Sequence, residues 1–261
     1  MTGTFILNTL LFVAVARLIW GTSKRKVVPV AILFLVVEVA FFSSNIAKVS
    51  HGAWLSLAIG LILSIVMMTW RRGQGIVTKN RMAQEGSLSE FLDGLGEGKP
   101  PVACRVPGVA VFLGRGKATT PLALRAEVEY TRTLQEKVVI VTVDTVSIPH
   151  VEIAEQFMVE VLGHGLFKVF YVTHRVGYHD KLDVPEALRL CRMRGLLETN
   201  LDLEHAAYFV SRIAITPTDA PVMRRWRKKL FVAMARNASS PIEHFGLPAD
   251  RTVMMGSQVA L

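Results

Sequence analysis

Three long apolar runs near the N-terminal end constrain this chain more than any other feature of its sequence. The runs cover residues 4–20, 27–47 and 52–70, and together they contain only two charged side chains, Arg17 and Glu38. Each run is long enough to cross the hydrocarbon core of a bilayer, which takes about 20 residues of helix. Each is also apolar on every face, unlike the helices of soluble proteins. The sequence therefore predicts a membrane α-helical segment, residues 1–72, with three transmembrane helices.

The distribution of charge argues against a nucleic-acid-binding protein. The chain has a formal net charge of +9. Residues 1–72 contain seven basic residues and one acidic residue, a net of +6, which leaves only +3 for residues 73–261. A basic domain that binds nucleic acid would carry the excess itself. Here the short apolar segment carries most of the excess positive charge, as is typical of the regions that flank transmembrane helices.

The positions of the basic residues predict an orientation. One cluster, at 24–26, lies between the first and second runs, and another, at 71–72, directly follows the third. The loop between the second and third runs has only Lys48 and His51. By the positive-inside rule, both clusters and everything after residue 72 are expected on the cytoplasmic side. We therefore expect a multi-pass protein of the cell membrane with a cytoplasmic C-terminal domain.

Glu38 is the one acidic residue at membrane depth, near the middle of the second run. An ionised carboxylate there is costly unless it is paired, protonated or in contact with water. Two interpretations remain open. Glu38 is part of a pathway for protons or cations, or it is a neutral acid that forms a hydrogen bond with a neighbouring helix.

The third run carries a stripe of small residues. Gly52, Ser56, Gly60 and Ser64 recur every four residues and so lie on one face of a helix. Small side chains let a second transmembrane helix approach closely. The stripe predicts a packed neighbour, although such a spacing also arises by chance.

The remaining residues predict a linker and a small α/β domain. Residues 73–101 are rich in Gly, Lys and Glu, with one helical-looking stretch at 89–95, and we interpret them as a linker. From 102 to 261, strand-like and helix-like segments alternate, which favours an α/β fold. The predicted strands are 109–113, 137–146, 167–176, 206–215 and 251–261, and the predicted helices are 122–134, 184–195 and 222–237.

The domain contains no recognisable catalytic signature. The loop 114–120 is rich in Gly but lacks the spacing of a phosphate-binding loop, and we interpret it as a turn. The seven His residues lack paired metal-ligand spacing, including His174 and His179. Cys104 and Cys191 are single cysteines, expected to stay reduced in the cytoplasm. The sequence therefore predicts no enzyme, no metal site and no cofactor.

The helix at 222–237 is strongly basic, and three interpretations of it remain open. Its basic residues could bind anionic lipids of the inner leaflet, dock against the cytoplasmic side of the membrane domain, or form a solvated face over a packing stripe. The basic residues, which surround Trp226 and Phe231, are Arg224, Arg225, Arg227, Lys228 and Lys229.

Several long motifs resemble the KUP/HAK/KT family of potassium uptake transporters. In the membrane segment the resemblance lies in FLVVEVAFFSSNIAKVSHGAW at 34–54. In the C-terminal domain it lies in EKVVIVTVDTVSIPHV at 136–151, RVGYHDKLDVPEAL at 175–188 and RRWRKKLFVAMARNASSPIEHFGLP at 224–248. The resemblance covers essentially the whole chain.

This resemblance implies potassium import driven with protons, in a fold similar to the amino-acid–polyamine–cation superfamily. Full-length members have many more spans, and this chain looks like the last three with the cytoplasmic tail. The family builds its ion site largely from earlier helices, so no ion-binding residue carries over. Glu38 matches an acidic position that the family shows in this span. We therefore expect the C-terminal portion of a potassium–proton symporter, incomplete alone. The alternative is a membrane-anchored regulatory domain that senses a ligand.

The expected partners follow from this interpretation. They are the lipid bilayer, the N-terminal transporter helices and a second copy of the chain, with no nucleic acid. Potassium ions and protons are transported species rather than cofactors.

Overall fold

The computed structural model separates the chain into two compact units, Met1–Met68 and Thr69–Leu261. The residues that it describes are 2–46, 54–99, 102–163, 168–216, 223–237 and 240–260.

Among its described residues, the first unit consists of helices and one short connection at 19–23. Helix α1 covers Thr2–Leu18, α2 covers Lys24–Ile46, and α3 begins at Trp54 and continues to Glu85 in the second unit. Helices α2 and α3 are long and apolar enough to cross a membrane, whereas α1 is apolar but shorter. Their large apolar side chains are mostly exposed, as a lipid environment would require. Two of the three predicted spans therefore meet the criteria for a membrane-crossing helix.

The predicted linker is largely helical. Helix α3 reaches Glu85, and α4 covers Leu88–Gly96, with Ser87 as its N-cap. Four apolar side chains of α4 are buried in the core of the second unit, namely those of Leu88, Phe91, Leu92 and Leu95. This differs from our expectation of a linker over 73–101. Of the glycines that suggested a loop, Gly73 and Gly75 are inside α3 and Gly94 and Gly96 are inside α4, where tertiary packing outweighs their low helix propensity.

Polar contacts attach the end of α3 to the rest of the second unit. Arg81 and Glu85 form a buried ion pair, with 2.5 Å between Arg81 Nε and Glu85 Oε1. Arg125 donates two hydrogen bonds to the backbone carbonyl of Glu85, at 2.9 and 3.2 Å. The second unit therefore includes the C-terminal part of α3 as a packed element.

A six-stranded sheet forms the centre of the second unit. Its strands are β1 (Cys104–Gly114), β2 (Thr133–Thr145), β3 (Phe157–Leu162), β4 (Val169–Val176), β5 (Ala207–Thr216) and β6 (Thr252–Ala260). The spatial order is β3-β4-β2-β1-β5-β6, and every neighbouring pair is parallel except β3 with β4. The predicted α/β domain is confirmed.

The described residues of the unit form four further α-helices. They are α5 (Leu122–Ala126, continued by a π-helical turn at Glu127–Thr131), α6 (Val184–Met193), α7 (Arg225–Arg236) and α8 (Pro241–His244). Helices α4 and α5 pack on one face of the sheet with Phe112 and Ile140. Helix α6 packs on the other face with Val111 and Val139. Burial on both faces explains why the central strands read as continuous apolar runs.

The structure confirms the predicted elements, shifts the bounds of several of them and adds one strand. The strand at 167–176 begins at Val169, and residue 167 lies outside the described residues. The helix predicted over 122–134 ends at Thr131, because Arg132 adopts a left-handed conformation with φ 53° and β2 starts next. Strand β3 is missing from the prediction. It is an edge strand in which only Phe157 is buried, so it lacks a continuous apolar run.

Candidate functional site in the membrane helices

The candidate site centres on Glu38, in the middle of α2. The hydroxyl of Thr9, on α1, donates a hydrogen bond of 2.8 Å to Glu38 Oε1. The second carboxylate oxygen, Oε2, is buried and has no hydrogen-bond partner among the described residues. An unpaired polar atom at this depth is costly, because no water is present to replace the missing bond. Glu38 thus has one satisfied oxygen and one oxygen open to a further proton or ligand.

A groove of about 610 Å³ runs along α1 and α2 beside this carboxylate. Glu38 lies at one end and Lys26 at the other, twelve residues apart on α2, which corresponds to about 18 Å of helix. Apolar side chains such as Phe12 and Phe34 form most of the wall. The polar residues of the groove are Asn8, Thr9, Thr22, Lys26 and Glu38.

Oε2 of Glu38 can carry a proton without loss of the Thr9 hydrogen bond. When Oε2 carries a proton, the carboxyl group is neutral and Thr9 still donates to Oε1. A dehydrated potassium ion instead needs enough oxygen ligands to replace its hydration shell. Among the described residues, the Glu38 carboxyl group and the Thr9 hydroxyl that contacts it are too few oxygen ligands for this. The hydrogen bond from Thr9 is the contact with a neighbouring helix that the interpretation of Glu38 as a structural acid requires. The oxygen without a partner is what the interpretation as part of a proton or cation pathway requires.

The small-residue stripe lies on α3. Gly52 is outside the described residues, while Ser56, Gly60 and Ser64 are exposed. Ser64 donates a hydrogen bond of 2.7 Å to the backbone carbonyl of Gly60, within the same helix. Among the described residues, no atom of another element lies within 4 Å of a Cβ placed on Gly60. The packed neighbour of this stripe stays a prediction.

The basic residues at 224–229 divide into two groups around α7. Arg227 donates from Nε to Thr69 Oγ1 at 2.9 Å, and Lys228 is buried. Phe231 is fully buried, with its ring centroid 5.4 Å from that of Trp70. The exposed group is Arg224, Arg225 and Lys229. Helix α7 therefore packs on the C-terminal half of α3 and leaves three of the five basic side chains outside.

Two family models match the chain and together cover most of it. A model for the K+ potassium transporter integral membrane domain matches residues 1–75. A model for the K+ potassium transporter C-terminal domain matches residues 107–261. The chain belongs to the K+ potassium transporter family. Its N-terminal region is thus an integral membrane domain, and the protein is embedded in a membrane.

Curated relatives agree with this family. The chain is 43% identical over 259 residues to the probable potassium transport system protein Kup of Rhodococcus jostii, covering 99% of this chain and 39% of that protein. It is 36% identical over 261 residues to the Kup protein of Myxococcus xanthus, covering 100% of this chain and 39% of the relative. The chain therefore spans about two fifths of the length of these relatives. No solved structure matches it.

The α/β unit of this family member contains a polar cluster that sequence reasoning missed. Asp180 accepts from His150 Nδ1 at 2.6 Å, and from the backbone N–H groups of Gly177 and Val151 at 2.8 and 3.1 Å. These hydrogen bonds lower the pKa of Asp180 to about 2, and the bond from His150 makes the largest contribution. The cluster joins the loops that follow β2 and β4. The signal was the position of both residues just beyond neighbouring parallel strands, which end at the same edge.

The two histidines that the sequence singled out are not brought together. His174 is buried on β4 and stacks on Phe157 with centroids 4.8 Å apart, and burial lowers its pKa. His179 instead lies beside Tyr178 and His150. Within the described ranges, no three His, Cys, Asp or Glu residues form a group that could hold a metal ion.

The two cysteines are expected to differ strongly in reactivity. Cys191 is buried in the core around α6, and burial raises the pKa of its thiol to about 12. Cys104 is exposed. Because the thiolate is the reactive form, iodoacetamide should label one thiol in the folded chain and two after unfolding. Mass spectrometry of the labelled chain measures this, with Cys104→Ser as the control that leaves the folded protein unlabelled. Fast labelling of Cys191 in the folded chain would contradict the buried position.

Proposed function

We propose that this chain is the C-terminal portion of a potassium importer that couples uptake to protons. Membership of the K+ potassium transporter family along both of its domains supports potassium as the transported ion. The Glu38 carboxyl group, with one hydroxyl donor and one open oxygen, supports a part in proton coupling. This carboxyl is the observation that carries the proton half of the proposal.

The proposed topology has three spans and a cytoplasmic α/β unit. Helix α1 has 17 residues, or about 26 Å of helix, and the apolar residues that follow it bring the segment near bilayer thickness. The basic clusters at 24–26 and 71–72 support the cytoplasmic side for the α/β unit.

Transport by this chain is proposed to need further membrane helices, supplied by the part of the relatives that it does not match. Transporters of this kind hold the ion near the midplane, between helices of two repeats. The membrane helices described here do not supply two repeats. The part of the relatives that this chain does not match is the natural source of the others.

Rubidium uptake into proteoliposomes tests the proposal. The chain alone should give no uptake above empty vesicles. Co-expression with the part of the Rhodococcus jostii relative that this chain does not match should restore uptake, and an inward proton gradient should stimulate it. Robust uptake by the chain alone would contradict the need for further helices. Uptake that ignores the proton gradient would contradict proton coupling.

A charged pocket in the α/β unit favours the second candidate, a membrane-anchored domain that senses a ligand. The pocket has a volume of about 480 Å³ and lies at the start of α6. Its charged residues are Lys181, Asp183, Glu186, Arg189 and Arg251. If the chain acts only as a sensor, the same co-expression should give no uptake, which separates the two candidates.

A further inference from the structure

The outer face of α7 is the strongest feature that transport leaves unexplained. We infer that this face binds the headgroups of anionic phospholipids at the membrane surface. The proposal rests on the proposed cytoplasmic position of the α/β unit. The face, called here the α7 outer face, consists of Arg224, Arg225, Trp226 and Lys229.

The packing of α7 against α3 sets the depth of this face. Arg227 of α7 contacts Thr69 of α3. Four residues further along both helices, Phe231 fills the space beside Gly73. Contacts that advance together in this way make the two helices parallel. The N-terminal turn of α7 is therefore level with Thr69 and Trp70, where the uncharged stretch of α3 ends. This is the height at which lipid headgroups are expected.

The same packing sets which side of α7 faces outward. Phe231 is fully buried and Lys228 is buried, so the inner side of the helix is already occupied. A Cβ on Gly73 would overlap the Phe231 ring, which shows how closely the helices approach. Because the helix cannot rotate without removing Phe231 from its site, Arg225, Trp226 and Lys229 remain exposed.

The chemistry of the outer face fits an anionic lipid surface. Trp226 is 50% exposed, and an indole ring that is half apolar and half polar favours the headgroup region. Sequence positions 223–237 contain no acidic residue. In the described part of the chain, no carboxylate forms an ion pair with Arg224 or Lys229. Basic side chains near an anionic leaflet are attracted to it, and this attraction is screened by salt.

The test uses the full chain in nanodiscs and the fluorescence of Trp226. The Trp226 signal is the difference between the chain and its Trp226→Phe variant. The probe is brominated phosphatidylglycerol, mixed at about one third into phosphatidylcholine discs, with brominated phosphatidylcholine discs for comparison. We expect quenching of Trp226 by brominated phosphatidylglycerol to be about two-fold stronger than by brominated phosphatidylcholine, and weaker at high salt.

Matched charge variants make this result specific. Arg224→Gln with Lys229→Gln should abolish the preference for phosphatidylglycerol. The control pair, Lys99→Gln with Lys168→Gln, removes two exposed lysines elsewhere in the unit, and it should keep the preference. Circular dichroism should be the same for all variants, because only exposed side chains change.

Three outcomes would overturn the proposal. They are equal quenching by the two lipids, an unchanged preference in the Arg224 and Lys229 variant, and loss of the preference in the control pair. A response of the Trp226 fluorescence to an oligonucleotide, but not to phosphatidylglycerol, would also overturn the proposal. It would indicate that the α7 outer face binds a polyanion other than a lipid surface. Nanodiscs expose both membrane faces and require no transport, so such failures would leave the rubidium result, and the proposed function, unaffected.

Discussion

Alanine at Gly73 is expected to destabilise the α/β unit, while alanine at Gly75, two residues later in the same helix, should not. A Cβ on Gly73 would overlap ring atoms of Phe231, which is fully buried and cannot move into solvent. Overpacking of this kind costs about 1–3 kcal/mol in unfolding free energy. A Cβ on Gly75 meets nothing within 4 Å, and alanine there should stabilise the helix by up to about 1 kcal/mol.

Urea unfolding of the full chain in detergent, followed by tryptophan fluorescence, measures both changes. The centroid of the Trp70 ring lies 5.4 Å from that of the Phe231 ring, with the two rings tilted by 45°, and Trp70 reports directly on this contact. Phe231→Leu supplies a further control, since it removes the ring that clashes. The double variant Gly73→Ala with Phe231→Leu should be less destabilised than the two single changes combined. Equal effects at Gly73 and Gly75 would show that α7 does not approach α3 in the way described.

Glu38→Gln is expected to give the largest functional change. Glutamine has nearly the same shape and can still accept the Thr9 hydrogen bond, but it cannot take up or release a proton. In a complete transporter that carries this segment, we expect potassium uptake driven by a proton gradient to fall about ten-fold, with loss of its dependence on external pH. Thr9→Val removes the hydroxyl donor but keeps the carboxyl group, so its effect should be smaller and should change the pH profile more than the maximal rate.

Rubidium uptake measured at several external pH values distinguishes these effects. Ser43→Ala is the matched control, because Ser43 is on the same helix and its hydroxyl bonds to the backbone carbonyl of Val39 rather than into the groove. It should leave uptake and its pH profile unchanged. If Glu38→Gln transports as well as the parent at acidic and neutral pH, Glu38 is a neutral acid that holds α1 and α2 together.

Glu38 shows how much of the candidate site can be predicted from the sequence. The rarity of a charge within an apolar run was enough to single it out. The sequence does not identify the hydrogen-bond partner of Glu38. Thr9 lies 29 positions away, in another apolar run, where a single threonine does not stand out. The pairing depends on how α1 and α2 lie against each other. Likewise, the Asp180 cluster depends on two loops that meet only because β2 and β4 are neighbours.

The sequence by itself determined the features that depend on local composition. An apolar run of about 20 residues is not stable when exposed to water and is long enough to cross a bilayer, and a β-branched apolar run such as 137–146 favours a buried strand. Only the tertiary structure decided that the glycine-rich stretch after residue 72 is a helix. Gly73 must accept Phe231 from a helix more than 150 positions later, and this contact compensates for the poor helix propensity of glycine. Long-range contacts of this kind leave no periodic pattern in either segment, so they became visible only in the folded chain.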